Sequence, residues 1–287
     1  MKPPPFDYHA PRDLGEALRT LAEVRGKVLA GGQSLIPMLN MRLAAPDHLV
    51  DINRVAGLDG LERSGDGVLV GATVRHADAE RAEVHPLLTR ALKLVAHPVI
   101  RNRGTVVGSL VHADPAAELP AVLAVLDGRV RLARWDGGVR VREVRARDFF
   151  TGPMESAVEP GELAVSAFFP ALPPGGGSAF HEVARRHGDY ALAGVCAVVT
   201  VDGGLVATAR AACVGVGPVP VVVDVGEACA GRPPEDADWA GAAALVRDAA
   251  EPEDDIHASA AYRRHLVGVL AERALRDAAR EGAARGA

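Results

Sequence analysis

A strand, a glycine turn and a helix follow one another in the stretch KVLAGGQSLIPMLNMR, from Lys27 to Arg42. The apolar run before the glycines predicts a buried strand, which Gly31 and Gly32 end. Four later residues recur at the period of an amphipathic helix: Leu35, Met38, Leu39 and Arg42. Glycines let a backbone approach a phosphate, and free N–H groups at a helix start point toward it. The stretch therefore predicts either an anion cradle, with Ser34 as helix cap, or an ordinary structural corner.

The length and composition predict a globular protein of two or three domains. The chain has 287 residues, of which 48% are hydrophobic and 24% are charged. Its net charge of -5 argues against nucleic acid as a partner. No apolar run reaches the ~18 residues that a membrane span needs, and MKPPP is not a signal peptide. We therefore expect neither a nucleic-acid partner nor a membrane span.

The three cysteines, Cys196, Cys213 and Cys229, are widely spaced and form no CxxC motif. This spacing predicts neither a zinc site nor an iron–sulfur cluster within the chain. Free cysteines are typical of proteins in a reducing compartment, so we expect the protein to be cytoplasmic.

The run Pro173–Gly177, with the sequence PPGGG, is the best candidate for a domain linker. It separates a first domain, residues 1–172, from a second domain, residues 177–287. Alternating strands and helices, with a capping box at DLGE, predict a first lobe over about residues 1–53. Residues 54–172 have the pattern of a mixed α+β lobe with antiparallel strands.

The second domain begins with three candidate strands, at residues 179–185, 194–201 and 205–216. A hairpin turn, Asp202-Gly203-Gly204, separates the last two. Helices follow, and the last begins near Ala258. This order predicts a small antiparallel sheet that is covered by helices.

A second glycine-containing loop, RNRGTVVGS, spans residues 101–109 and precedes DPAAELP at residues 114–120. It belongs to the second lobe, whereas the first glycine loop belongs to the first lobe. Two loops from different lobes could clamp one long, doubly charged ligand. The sequence contains no Rossmann fingerprint, P-loop, HExxH motif or nucleophile elbow. We therefore expect a binding site that has no catalytic side chain and no metal.

Five motifs stand in the order and spacing of one known family, from Phe6 to about Leu275. They are AGGQSLIPMLNMR, IRNRGT with GS and HADPAAELP, RARDFF with PGEL, RRHGDYALAGV, and YRRHL with VL and ERAL. The chain resembles the FAD-binding subunit of molybdenum hydroxylases, most closely the medium subunit of carbon monoxide dehydrogenase-type enzymes. The resemblance implies an α+β fold, with a two-lobed PCMH/vanillyl-alcohol-oxidase-like FAD-binding domain. A small C-terminal domain with a three-stranded antiparallel sheet and helices would follow it.

The resemblance also implies which residues bind FAD. The main chain of the first loop would wrap the pyrophosphate, at Leu29, Ala30, Gly31, Gly32, Gln33, Ser34 and Leu35. The second loop would lie on the phosphate side, at Thr105, Val107, Gly108 and Ser109. Asp114 and Glu118 would reach ribityl or ribose hydroxyls. Four residues would lie at the flavin ring or its edge: Leu163, His181, Asp189 and Tyr190.

Several of these residues also have a structural interpretation. Asp114 could cap a helix that begins at Pro115. His181 could be a solvated strand residue, and Tyr190 could be an interface aromatic. The nearby cations are interpreted as partners of carboxylates or as an exposed helix face: Arg101 and Arg103, and Arg263, Arg264 and His265.

Val107 departs from the family pattern, in which the second loop reads T-I-G-G-S and has glycine at this position. A β-branched residue is strained where the backbone needs a positive φ. Where only a small volume is needed, the valine methyl groups would press on the ligand. The sequence therefore predicts that FAD binds less tightly or in a shifted position.

The resemblance implies an electron-transfer subunit. A large molybdenum subunit would oxidise the substrate, and the [2Fe–2S] clusters of a small subunit would relay the electrons to FAD on this chain. FAD would pass them to an external acceptor, and the resulting heterotrimer would pair into a dimer. A stand-alone flavin-dependent oxidoreductase that acts on a small molecule is one alternative. A scaffold subunit that has lost FAD, as Val107 could indicate, is another.

Overall fold

Residues 2–286, which the computed structural model describes, form eleven helices and four β-sheets. The three larger sheets define lobe 1 (residues 7–51), lobe 2 (residues 61–170) and the C-terminal unit (residues 176–286). One buried apolar cluster joins lobe 1 to lobe 2, and another joins lobe 2 to the C-terminal unit. Lobe 2 therefore packs through apolar side chains against both lobe 1 and the C-terminal unit.

Lobe 1 is a three-stranded parallel sheet with two helices. Its elements are β1 (Asp7–His9), α1 (Leu14–Val24), β2 (Lys27–Leu29), α2 (Leu35–Asn40) and β3 (His48–Asp51). Helix α1 begins as predicted, because the Asp13 side chain accepts from the N–H of Glu16 at 2.9 Å. The Glu16 carboxylate reaches back to the N–H of Arg12 at 2.8 Å, one residue beyond the usual capping-box donor.

Lobe 2 contains a five-stranded antiparallel sheet in the order β4-β5-β10-β6-β7 and a two-stranded β8–β9 ribbon. Its first elements are β4 (Leu61–Ser64), β5 (Gly67–Gly71), α3 (His76–Ala82), α4 (Pro86–Leu94), α5 (Pro98–Arg101), α6 (Val106–His112) and α7 (Glu118–Val125). The remaining elements are β6 (Arg129–Trp135), β7 (Val139–Arg145), α8 (Ala146–Phe149), β8 (Phe150–Gly152), β9 (Glu155–Ser156) and β10 (Glu162–Pro170). Helix α7 is buried at every residue, because it packs between lobe 2 and the C-terminal sheet.

The C-terminal unit is a four-stranded antiparallel sheet with three helices. Its elements are β11 (Gly176–Ala184), β12 (Ala191–Asp202), β13 (Leu205–Val214), β14 (Val221–Asp224), α9 (Gly226–Cys229), α10 (Trp239–Asp248) and α11 (Ala260–Gly286). The predicted three-stranded sheet lacked β14, a four-residue strand that follows Pro218 and Pro220. Only its pairing with β13 identifies it as a strand. One sheet face packs against α11, and the other packs against α7.

The expected exposed face at Arg263 is wrong for that residue. Arg263 is only 7% exposed. Its guanidinium donates to the carbonyl of Leu192 at 2.5 Å and pairs with Asp255 at 2.6 Å. A buried charge needs such partners, and here they fix the start of β12 to α11. Arg264 and His265 are exposed, as predicted.

Candidate functional site

The two glycine loops lie in direct backbone contact. A Cβ on Gly31 would lie 2.3 Å from the carbonyl oxygen of Arg103 and 2.8 Å from the Cα of Gly104. No side chain fits in that space, so a residue without a Cβ is required there. The structure thus brings together the loops of lobe 1 and lobe 2, as their proposed role as a clamp requires.

The first loop presents a row of backbone donors. Among residues 2–286, no backbone or side-chain acceptor binds the N–H groups of the five consecutive residues 31–35. Gly32 has φ +74, a left-handed conformation that turns the chain between β2 and α2. The side-chain amide of Gln33 donates to the carbonyl of Gly31 at 3.0 Å. Consecutive N–H groups in such a turn form a concave site for an anion.

The predicted cap by Ser34 is wrong. Ser34 precedes α2, but its own backbone is helical and its side chain makes no capping hydrogen bond. An N-cap side chain reaches the helix N–H groups from an extended backbone, which Ser34 lacks. The hydroxyl is therefore available to another partner, together with the loop N–H groups.

A polar network behind the loops fixes their separation. The side-chain amide of Asn53 donates to the carbonyl of Ala30 at 2.8 Å. Arg75 donates to the side-chain oxygen of Asn53 at 2.6 Å and to the carbonyl of Arg103 at 2.6 Å. Burial, followed by the charge of Arg103, lowers the pKa of Arg75 from its ordinary value. Arg75 thus ties the back of the first loop to the second loop.

The second loop begins α6 and is built around Thr105. The Thr105 hydroxyl oxygen accepts from the N–H of Gly108 at 3.2 Å and so caps the helix. A Cβ on Gly108 would lie 2.4 Å from that oxygen, so only glycine leaves the cap intact. Ser109 is half-buried on the same helix, and its N–H bonds the carbonyl of Thr105.

The sequence raised two concerns about Val107, backbone strain at a positive φ and contact of its methyl groups with the ligand, and the structure shows neither. Its backbone is helical, and it is not among the residues with positive φ. Its side chain is only 2% exposed and packs in the core of lobe 2 with Leu110 and Val122. The methyl groups therefore fill the core beneath the loop. Neither reason for weaker or shifted FAD binding at Val107 is therefore present in the structure.

The segment 114–118 joins lobe 2 to the C-terminal unit. The Asp114 carboxylate accepts from the N–H of Ala116 at 2.9 Å. Helix α7 begins at Glu118, so Asp114 does not cap a helix at Pro115, and that alternative is wrong. The carbonyl of Pro115 accepts from the N–H of Gly215 at 2.8 Å. This bond fixes the segment against the end of β13.

Two carboxyl groups with raised pKa values lie where these units meet. Glu118 is 7% exposed, and burial, reinforced by the charge of Glu182, raises its pKa to about 8. Burial raises the pKa of Glu182 to about 7. Among residues 2–286, Oε2 of Glu182 is buried without a hydrogen-bond partner. Burial penalises a charged carboxylate, which explains why both pKa values are raised.

Tyr190 lies beside the same segment. Its side chain is largely exposed, yet protein packed along one side of it partly desolvates the hydroxyl. This desolvation, and then the charges of Asp114 and Glu118, raise the pKa of Tyr190. The structure therefore brings Tyr190 to the two predicted carboxylates, although it lies in the C-terminal unit.

His181 lies on the other face of the C-terminal sheet. It pairs with Val195, which packs toward α11, and its Nε2 lies 2.9 Å from the Asp277 carboxylate. Side chains alternate along a strand, so Glu182 faces α7 instead. The structure therefore does not bring His181 to Tyr190, and its place at the flavin ring stays a prediction.

Three other predicted site residues have contacts within the protein. Leu163 is buried against lobe 1, and its main chain pairs with β6. Asp189 pairs with Arg186 at 3.2 Å, and that hydrogen bond lowers the pKa of Asp189. Leu29 ends β2 and pairs with Asp51. Arg101 pairs with Glu80 at 2.8 Å, as its carboxylate interpretation predicted.

Sequence reasoning missed Asn53, Arg75 and Glu182. For Glu182 a signal existed, because a carboxylate inside a long apolar strand pattern is unusual. Asn53 and Arg75 form no motif, and only the tertiary structure brings them to the loops.

Three further features concern possible metal ligands, the cysteines and the helices. Within residues 2–286, no group of three or more His, Cys, Asp or Glu side chains could hold a metal ion. The three cysteines are free and buried. Among the described helices, none combines the length and hydropathy required to cross a membrane.

Comparisons with known proteins place this geometry in context. Residues 4–172 match the family model described as the FAD binding domain in molybdopterin dehydrogenase. Residues 178–278 match the CO dehydrogenase flavoprotein C-terminal domain. The two matches follow one another in chain order, and they confirm the resemblance that the five sequence motifs indicated.

The chain is also similar to individual proteins over nearly its whole length. It is 40% identical to the 6-hydroxypseudooxynicotine dehydrogenase complex subunit alpha of Paenarthrobacter nicotinovorans, covering 97% of this chain and 96% of that protein. It is 35% identical to the carbon monoxide dehydrogenase medium chain of Hydrogenophaga pseudoflava, covering 97% and 98%. Its fold matches a chain of quinoline 2-oxidoreductase from Pseudomonas putida 86 with a TM-score of 0.91, 36% identity and coverage of 99% and 100%.

Proposed function

We propose, because this chain belongs to the FAD-binding family of the molybdopterin dehydrogenases, that it holds one FAD where its two glycine loops meet. Bound FAD supplies electron-transfer chemistry, since it can accept electrons singly and release them in pairs. The observation that carries the proposal is the row of free N–H groups at residues 31–35, in backbone contact with the second loop.

The chain's own residues divide the work of holding FAD. The N–H groups of the first loop, with the Ser34 hydroxyl, suit the two negative charges of a pyrophosphate. Thr105 and Ser109 lie on the second loop, which contacts the first loop through Gly104. Asp114 and Glu118 are carboxyl groups that can bond the ribityl or ribose hydroxyls. Tyr190 lies next to them, at a place where its ring can border the flavin.

The proposed role is electron transfer within a larger complex. Electrons would arrive from [2Fe–2S] clusters on a small subunit, after a large subunit with the molybdenum cofactor has oxidised the substrate. The chain would pass them to an external acceptor. The names of the relatives support this role, since they include a subunit of a dehydrogenase complex and a medium chain. We propose a heterotrimer that pairs into a dimer.

We also propose a cytoplasmic location and a division into two domains. The three free, buried cysteines fit a reducing compartment. We place the domains at residues 1–172 and 177–287, on either side of the linker, whose last residues begin β11. The separate family matches at residues 4–172 and 178–278 support this division.

The visible absorption spectrum of the purified chain tests FAD binding. We expect a flavin spectrum, and chromatography after heat denaturation should identify about one FAD per chain. Affinity purification from the source cells tests the complex, and we expect iron–sulfur and molybdenum subunits to co-purify. A flavin-containing chain that co-purifies with neither subunit would favour a stand-alone flavoprotein. A chain that remains colourless after addition of FAD would contradict the proposal.

A scaffold subunit without FAD loses its only support. That alternative depended on Val107, which packs in the core and does not project from the loop. No other residue of the two loops departs from an intact cradle in a comparable way, since Gly31, Gly32 and Gly108 are all present.

A further inference from the structure

Glu118 and Glu182 meet across the boundary between lobe 2 and the C-terminal unit. Glu118 is the first residue of α7, and α7 packs against β12 and β13. Glu182 lies on β11 and pairs with Gly194 of β12. Phe180, two residues before Glu182, belongs to the same buried cluster as α7. Residues at i and i+2 share a strand face, so Glu182 also points toward lobe 2, and its charge acts on Glu118 at the start of α7.

The position opposite Glu182 is a glycine, which leaves room for the carboxyl group. A Cβ on Gly194 would lie 3.1 Å from the Cβ of Glu182 and 3.4 Å from Cε1 of Phe180. A larger residue there would push Glu182 away from the interface. The sheet thus holds one glutamate side chain in a small space that faces the start of α7.

Within residues 2–286, neither carboxyl group has a cationic side chain as its partner. Among residues 2–286, no other side chain forms a hydrogen bond or a salt bridge with Glu118, which is buried. Oε2 of Glu182 is also buried and unpartnered. The other titratable groups that face Glu118 are Asp114, on its own segment, and Tyr190, from the loop after β11. His112 of α6 faces Asp114. Two adjacent carboxylates cannot both ionise at low cost without a cation.

We propose that Glu118 and Glu182 form a proton-binding carboxyl pair across this boundary, and that FAD binding is coupled to proton uptake by the pair. This inference rests on the proposed binding of FAD. The pyrophosphate brings negative charge, and a bound cofactor excludes water, so both effects favour the protonated pair. The proton comes from solvent and is held between the carboxyl oxygens of the two residues.

The coupling predicts how FAD affinity depends on pH. When binding takes up a proton, the Kd rises as pH rises, by up to about tenfold per pH unit for one whole proton. Isothermal titration calorimetry of the FAD-free full chain, in two buffers with different ionisation enthalpies, counts the protons directly. We expect proton uptake by the wild type near neutral pH and a Kd that increases toward pH 8.5.

Glu182→Gln is the central variant, because it removes one ionisable group and keeps the side-chain shape. We expect it to take up less than half as many protons as the wild type and to show a flatter dependence of Kd on pH. Glu235→Gln is the matched control, since Glu235 lies exposed in a turn of the C-terminal unit and should leave the proton count unchanged. Equal proton uptake in Glu182→Gln and the wild type would overturn the coupling.

A second measurement separates the carboxyl pair from the proposed function. Carbon-13 NMR of the FAD-free chain, labelled at the glutamate carboxyl carbons, follows Glu118 and Glu182 through pH. We expect both to titrate above pH 6, and Glu118 to titrate at lower pH in Glu182→Gln. Ordinary titration near pH 4.5 for both would overturn the pair. A wild type that shows this pair but binds no FAD would contradict the proposed function and the coupling, while the pair itself would stand.

Discussion

Gly31 and Gly104 join lobe 1 to lobe 2 through their backbones, because a Cβ on Gly31 would lie 2.8 Å from the Cα of Gly104. Their contact aligns the free N–H groups of the first loop with the start of α6. The proposed FAD site therefore depends on how closely two separate lobes approach each other. Substitutions that change this distance should affect FAD binding more than they affect the core of either lobe.

Gly31→Ala is expected to weaken FAD binding by at least tenfold. The added Cβ would meet the carbonyl oxygen of Arg103 at 2.3 Å, so the loops must separate. Overpacking of this kind also costs about 1–3 kcal/mol of stability. FAD content per chain after purification and a fluorescence titration with FAD measure the effect. Gly65→Ala is the control, because a Cβ there meets nothing within 4 Å. Full FAD content in Gly31→Ala would show that the contact is dispensable.

Val107→Gly is expected to destabilise the protein without improving FAD binding. The change removes a side chain that is 2% exposed, and it places glycine inside α6. The cavity and the loss of helix propensity together cost about 3 kcal/mol. Chemical denaturation measures the stability, and titration measures the affinity for FAD. Val107→Ala separates the cavity from the backbone effect. Tighter FAD binding by Val107→Gly would mean that the valine does press on the cofactor.

Arg75→Met is expected to weaken FAD binding by about tenfold, which corresponds to about 1.4 kcal/mol. Without the guanidinium, the carbonyl of Arg103 and the side chain of Asn53 lose the donor that links them. The fold should lose only about 1–2 kcal/mol, because these are surface-proximal hydrogen bonds. Titration with FAD and thermal unfolding distinguish the two effects. Arg54→Met, at an exposed arginine, should bind FAD like the wild type.

Local sequence signals predicted much of the fold. Helix α1 follows from Asp13 and its apolar stripe, and the first loop follows from Gly31 and Gly32 before a helical period. These features depend on neighbours in the sequence, which a pattern can represent. Strand β14 was missed because its four residues become a strand only by pairing with β13.

Which side chains lie at the site could not be predicted without the tertiary structure. Val107 was expected at the cofactor because it replaces a glycine, but the orientation of α6 turns its side chain into the core. His181 was expected near the flavin ring and Glu182 was missed, whereas the strand pairing of β11 with β12 places His181 toward α11 and Glu182 on the opposite sheet face. Arg263 was expected in solvent because its neighbours on α11 are polar, but it donates to the carbonyl of Leu192 at the start of β12. In each case, the position of the side chain depends on contacts with residues that are distant in the sequence.

The carboxyl pair should also make the stability of the cofactor-free chain depend on pH in a characteristic direction. The folded-state pKa values of Glu118 and Glu182, about 8 and about 7, lie above the ordinary value of 4.5. Between these values the folded chain binds more protons than the unfolded chain. The pair's contribution to the free energy of unfolding is therefore fully present below about pH 4.5 and is lost as the pH rises toward 8.

A comparison of Glu182→Gln with the wild type isolates this contribution. His76 and His85 have pKa values lowered to about 4 by burial, so they act in the opposite direction between pH 4 and 6.5 in both proteins. Because the two histidines contribute equally in both proteins, they cancel in the difference between the two free energies of unfolding. Relative to the wild type, the free energy of unfolding of Glu182→Gln should rise by about 1 kcal/mol or more as the pH increases from 5 to 8. Urea denaturation across this range provides the measurement, with Glu235→Gln as control. Parallel curves for Glu182→Gln and the wild type would mean that Glu182 titrates normally and that its burial does not hold a proton.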